Sequence, residues 1–210
     1  KIVISPKCRL KKQGKYMIKT ITLEWLDENS ACDGGMSWFK AQSETNAVLV
    51  LLRLISEKRY DWANWLMVRL MNHKQKIQYA CYAATQALPI FEKQFPNEKR
   101  PRTAIEASLK WVNEPTEENR KAADAAYSAV CAAYAATNAA GAARLAYAAA
   151  DAADAATNPP VYAAYAASNA AGYAAYAAYA AGYAAGYAAN AAAWIKILKE
   201  GFRILEESNV

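Results

Sequence analysis

The chain changes its hydrophobic rhythm twice. From residue 44 to residue 112, apolar positions recur at three- and four-residue steps, the spacing that lays one face of a helix on a core. The run ETNAVLVLLRLISE (44–57) is apolar nearly throughout and predicts a buried helix, since its length and polar flanks favour helix over strand. YDWANWLMVRL (60–70) predicts a second helix, with Asp61 as its cap and Trp62, Trp65, Leu66 and Arg69 along one side. A third runs from Asn72 to Phe91, with Ile77, Cys81, Ala84 and Leu88 on its apolar stripe and Pro89 placed to close or kink it. PNEKRP (96–101) is a charged loop whose second proline starts the next helix, Arg102 to Val112. Thr116 then caps the opening of the C-terminal region.

On either side of this stretch the pattern differs. Residues 1–19 are basic and lack a period, although KYMIKTI (15–21) allows a short strand. Thr20 or Thr22 caps a helix over LEWLDEN; Asp33-Gly34-Gly35 predicts a turn, after which Met36, Trp38 and Phe39 open a second short helix. From 122 to 193 the chain turns to alanine, 40 residues of 72. Alanine is the best helix former and lets helix backbones approach closely. Between 163 and 191 the Ala-Ala pairs return at steps of three and four, averaging about 3.5, the spacing of a coiled-coil seam.

YAATNAAG (134–141) recurs 31 residues later as YAASNAAG (165–172), and Asn158-Pro159-Pro160 ends one helix between them. Gly141, Gly172, Gly182 and Gly186 either break these helices or permit close contact. WIKILKEGFRILEE (194–207) is again amphipathic, with Trp194, Ile197, Leu198 and Phe202 inward. The predicted fold is all-α: an antiparallel helical bundle or helical-repeat-like stack with a closely packed Ala/Tyr-rich C-terminal region. Residues 1–43 form a basic arm and short helical module. Residues 44–210 form the helical domain, with 117–193 its Ala/Tyr-rich part.

Charge adds an asymmetry. Residues 1–121 hold 21 Lys/Arg against 13 Asp/Glu, while 122–210 hold 4 against 6. A basic first half suits an acidic partner protein, nucleic acid or simple solvation. The four cysteines (Cys8, Cys32, Cys81 and Cys131) are far apart and form no CxxC, which fits neutral thiols in a reducing compartment. With no secretory pattern at its start, the chain is expected to be cytoplasmic. The Ala/Tyr tract is long enough to span a bilayer, but its Asn, Asp and Tyr interruptions favour packing on protein, so no membrane role is expected.

Reactive groups are sparse. Gly34-Gly35 fits no phosphate-binding pattern. Asp151 and Asp154 share a helix face at i, i+3; they are expected to solvate an alanine helix rather than hold a metal or move protons. His73 is the single histidine, and Cys81 lies about 12 Å further along a helix, too far for a Cys–His couple. No His/Cys cluster has metal spacing. Lys7, Arg9, Lys11, Lys12, Lys15 and Lys19 form a basic arm, and Lys99, Arg100 and Arg102 a second basic spot, so a nucleic-acid-binding accessory role is the alternative reading. No catalytic residue, cofactor or metal is expected, and the chain reads as a non-enzyme.

The middle of the chain carries a resemblance. Trp62, Trp65, Leu70 and Met71, the His73-Lys74 pair, Tyr79-Ala80, Pro89 and Glu92 lead to a Pro-x-x-x-Arg-Pro-x-x-Ala-Ile-Glu-Ala stretch at Pro96–Ala107. Together with the alanine-rich helices downstream, this resembles the predicted immunity proteins of bacterial polymorphic-toxin systems, the all-α Imm-5-like group and its phage and prophage relatives, over 58–195. One departure is the single His at 73 where His-His or basic variants are expected. TLEWLDENSACDGGMSWF separately resembles a short module of phage-encoded proteins. The resemblance implies an inhibitory binding protein, acting on a toxin domain or, if phage-encoded, on a host defence protein in the host cytoplasm. Its expected contacts are His73, Lys74, Glu98, Lys99, Arg100 and Arg102, with Tyr173, Tyr176, Tyr183 and Tyr187 from the tract. A homo-oligomer through the alanine-rich helices is a further expectation.

Overall fold

Local capping chemistry sets most helix starts. In the computed structural model, which describes residues 20–136, 151, 154, 163, 165–173 and 186–207, the Thr22 hydroxyl accepts from the Trp25 amide at 3.1 Å and opens α1 (Leu23–Glu28). Asn46 does the same for α3 (Ala47–Ser56), accepting from the Val48 and Leu49 amides at 3.0 and 3.2 Å. Asn72 and Gln75 form a reciprocal capping box at the head of α5 (His73–Gln94), with bonds of 3.0 and 2.9 Å. Pro101 sits in the first turn of α6 (Arg100–Asn113), and the Thr116 hydroxyl accepts from the Asn119 amide at 3.2 Å beside α7 (Glu117–Ala136).

Three expectations are corrected. Asp33-Gly34-Gly35 is not a separate turn but the first turn of α2 (Asp33–Lys40), capped by the Cys32 sulfur, which accepts from the Gly35 amide at 3.4 Å. Gly34 is there for space: a Cβ would sit 3.3 Å from the Trp62 ring. Asp61 does not cap α4 (Tyr60–Leu70); Arg59 takes that position without a side-chain bond, and Asp61 lies in the first turn. Pro89 does not end α5, which continues to Gln94 because Leu88 and Phe91 on either side of it are held in the core.

After α7, residues 163 and 165–173 are helical, and α8 (Gly186–Glu207) closes the described chain. The fold is an all-α helical bundle. Strands are absent among the described residues; Thr20 and Asn46 make an isolated antiparallel bridge, with the Ile21 amide on the Thr45 carbonyl at 2.8 Å. Residues 15–19 of the candidate strand, the Asn-Pro-Pro break, and Gly141 and Gly182 lie outside the described residues.

The core runs as one cluster. Leu66 and Met67 of α4, Ile77 and Tyr79 of α5, and Ile197 and Leu198 of α8 form its centre; Ile21, Leu26 and Phe39 bring α1 and α2 onto it. Ala163, Ala166, Ala167, Ala170 and Ala171 are all buried, so the tract packs by its alanines there. Gly172 lies within that helix with open space around it, and Gly186 begins α8. Close approach is found instead at Gly201, where a Cβ would lie 3.0 Å from the Tyr79 ring and 3.1 Å from Met67. No helix among the described residues is long and apolar enough to cross a membrane.

Candidate functional site

An ordinary surface helix carries one apolar stripe, but α3 is apolar at every position except Arg53 and Ser56. Ala47, Val50, Leu51 and Leu54 enter the core, which leaves Val48, Leu49 and Leu52 outside, 40, 47 and 43% exposed. The expectation of a wholly buried helix is therefore corrected: only one side is buried. Val48 and Leu49 each lie one turn from Leu52, so the three form a contiguous outward patch.

A polar network sits at the C-terminal end of this face. The Glu57 carboxylate accepts from the Trp38 indole N–H at 2.8 Å and from the Arg53 and Arg59 Nε–H groups at 3.1 Å each. The Trp38 bond, then Arg53 and Arg59, hold the Glu57 carboxyl below its ordinary range. The Arg59 guanidinium also lies 4.6 Å from the centre of the Trp62 ring, and Trp62 meets Trp38 edge to face at 6.3 Å. Two turns beyond Trp62 on α4, Arg69 stacks 4.0 Å from Trp65, reaches Tyr165 at 5.6 Å and donates to the Asn29 carbonyl at 3.2 Å.

Behind these stacks lie two cavities of about 360 Å³ each. The first is apolar, walled by Trp38, Trp62, Trp65, Phe39, Leu26 and Leu54, with Cys32 also in its lining. The second is polar, lined by Asp61, Asn64, Ser168, Asn169, Tyr173 and Trp194. Asp61 and Ser168 line both, so the chambers adjoin. In the polar chamber the Asn64 amide is fixed: it donates to the Ser168 carbonyl and hydroxyl at 3.0 Å each and accepts from the Tyr79 hydroxyl at 2.9 Å. Burial raises the Tyr79 pKa, so that hydroxyl keeps its proton and its role as donor.

The residues expected to form the contact surface fall into separate places. His73 opens α5 with its ring 5.5 Å from that of Trp111, and Lys74 beside it is exposed. Trp111 lies near the end of α6, whereas Glu98, Lys99, Arg100 and Arg102 lie around its start, so α5 and α6 run antiparallel and hold the two groups at opposite ends. The loop charges pair internally. Arg100 bonds Glu98 through Nε at 2.8 Å and again through Nη2, while Arg102 clasps Glu92 at 2.8 and 2.7 Å. Those bonds lower both glutamate pKa values. Lys99 stays exposed at the N-cap position of α6.

Tyr173 is half-buried in the lining of the polar chamber. Tyr176 and Tyr183 lie outside the described residues, and so does the side chain of Tyr187 in α8. Asp151 and Asp154 are half-buried rather than solvated, and burial, reinforced by Asp154, pushes the Asp151 carboxyl up to about 8. Cys81 is buried and its thiol is pushed up to about 12, which makes it a poor nucleophile. Among the described residues no cluster of His, Cys, Asp and Glu is placed to hold a metal ion. Two features escaped the sequence reading. The outer face of α3 was signalled by its excess of apolar positions over a single stripe; the indole cavity was not, because its walls come from separate segments.

An all-α bundle with an open aliphatic face and an indole-walled cavity is the class this structure defines. Residues 50–198 match the model of a family of unknown function, DUF6931, and the chain belongs to that family. No curated protein and no solved structure matches the chain. Helices α1 and α2 and the start of α3 precede the matched residues, so the cavity joins a family scaffold to a segment outside that match.

Proposed function

We propose that this chain is a non-enzymatic inhibitory binding protein that blocks a partner protein by occupying its surface. The partner is a toxin domain, as the resemblance to immunity proteins implies, or a host defence protein if the chain is phage-encoded. The observation that carries the reading is the outward face of α3, where Val48, Leu49 and Leu52 stand in solvent on a helix whose other side is core. A contiguous aliphatic patch on a rigid helix is the usual form of a helix-in-groove contact. Its C-terminal rim is basic, with Arg53, Lys58 and Arg59 against Glu57, so the complementary partner offers an apolar groove with an acidic edge there.

The test is capture on the immobilised chain from its source cells at low and at high salt, followed by titration of the captured protein's own activity. The expected result is one protein retained at both salts, with its activity falling to nothing at one equivalent of this chain. Recovery of nucleic acid alone, lost at high salt, would instead favour the basic first half as a nucleic-acid binder. A captured protein that stays fully active in excess chain would overturn inhibition.

A further inference from the structure

We propose that the indole-walled cavity is a binding site for a small ammonium compound with an aryl or alkyl body. Its volume, about 360 Å³, lies within the range that small-molecule sites occupy, and its walls have the expected mixture of mostly apolar lining and a few convergent polar groups. Trp38, Trp62, Trp65 and Phe39 supply flat apolar surfaces that suit an aryl ring or an alkyl chain. The charge of the ligand follows from Asp61, the one charged side chain among the described lining residues. Arg59 and Arg69 stack on Trp62 and Trp65, but neither lines the cavity and neither forms an ion pair with Asp61.

Asp61 is an exposed residue at the junction of the two chambers, and its carboxylate makes no ion pair among the described residues. It would attract an ammonium head, repel an anion, and give a neutral head no ion pair. Ser168 at the same junction, and the polar chamber beyond it, provide hydroxyl and amide groups to solvate the remaining ammonium protons. This site is independent of the partner surface, since Val50 and Leu54 line it from the inner side of α3 while Val48, Leu49 and Leu52 face outward.

The test is calorimetric titration of the whole chain with three probes of matched shape: 2-phenylethylammonium, 2-phenylethanol and 3-phenylpropanoate. The ammonium is expected to bind about tenfold more tightly than the alcohol, the size of one charge-assisted contact, and the propanoate to bind most weakly. Asp61→Asn should erase the preference for the ammonium over the alcohol while leaving affinity for the alcohol unchanged. Cys32 gives a second readout on the unmodified chain. It is exposed and lines the cavity, so saturating ammonium should slow its alkylation by N-ethylmaleimide several-fold, read by peptide mapping. Equal binding of propanoate and ammonium, heat from none of the probes, or binding that leaves Cys32 alkylation unchanged would each overturn the proposal.

Discussion

The crossing of α4, α5 and α8 and the shell built by α1, α2 and α3 bury apolar surface in opposite ways. At the centre of the crossing the large groups are closed in: Met67, Ile77, Tyr79 and Ile197 have no measurable exposure, and a glycine, Gly201, makes the room. Its buried polar groups are matched as well. Asn64 is held by Tyr79 and Ser168, and the Gln75 amide donates to the Ile204 carbonyl at 2.7 Å. The shell is looser in its closure: Trp25 of α1 and Trp38 of α2 meet Trp65 and Trp62 of α4 edge to face, with a cavity behind them and an aliphatic face left in water. A glycine lets large groups close the first region, whereas the tryptophans and aliphatics of the second leave it open. Stability should therefore depend most on the first and recognition on the second.

The largest effect on stability is expected where the crossing is tightest. Gly201→Val places a branched side chain against the Tyr79 ring at 3.0 Å and Met67 at 3.1 Å. Met67 can shift its flexible end, but Tyr79 is tethered through its hydroxyl to Asn64. Overpacking of this kind should lower unfolding stability by about 3 kcal/mol, read from the urea midpoint at constant m. A stability equal to that of the parent chain would mean the crossing has slack, and the comparison would lose its closed half.

A smaller effect tests the rule that buried polar atoms here are matched. Asp151 breaks that rule: its Oδ2 is buried with no hydrogen-bond partner among the described residues, and its carboxyl is pushed up to about 8. In the unfolded chain the same group ionises near 3.8. Between those values unfolding releases a proton that the fold retains, so the group lowers stability progressively as pH rises from about 4 to about 8, and no further above that. Asp151→Asn removes the titration. After discounting for partial solvent contact, its gain should reach about 2 kcal/mol at pH 7 and fade towards pH 4, measured by thermal melts across that range. A gain that does not vary with pH would show that the carboxyl is already solvated.

What the sequence made legible follows the same division. The helices of the family-matched region were readable because their signals are local: the Asn72–Gln75 box, Pro101 in a first turn, and apolar steps that place Ile77, Ile197 and Leu198 inward. Gly201 was not readable, since a glycine within an amphipathic stretch reveals nothing of the Tyr79 ring facing it. Nor was the cavity, whose walls are gathered from residues 21 to 66 together with Ser168, a sequence separation that no periodicity spans. The charged loop misled for a related reason. Glu98 and Arg100 are visible neighbours, but the clasp of Arg102 on Glu92 joins two helices and removes charge that looked free. Composition located the charge, and only the fold revealed its partners.

The smallest effect on stability is the sharpest test of the open half. Leu51 and Leu52 are chemically identical and adjacent, yet Leu51 is fully buried and Leu52 is 43% exposed. If the outer face of α3 only tolerates exposed aliphatics, replacing them with charge should leave both folding and association unchanged. If it is the docking surface, Leu49→Glu with Leu52→Glu should alter unfolding stability by less than about 0.5 kcal/mol per site, as surface changes do, while abolishing capture of the partner. The acidic replacements also offset the basic rim set by Arg53, Lys58 and Arg59, so an acidic-edged groove would lose its charge complement as well as be left unfilled. The two measurements must be made on the same preparation. Lost capture with an unchanged urea midpoint assigns recognition to this face, whereas capture that survives the double change removes α3 from the interface.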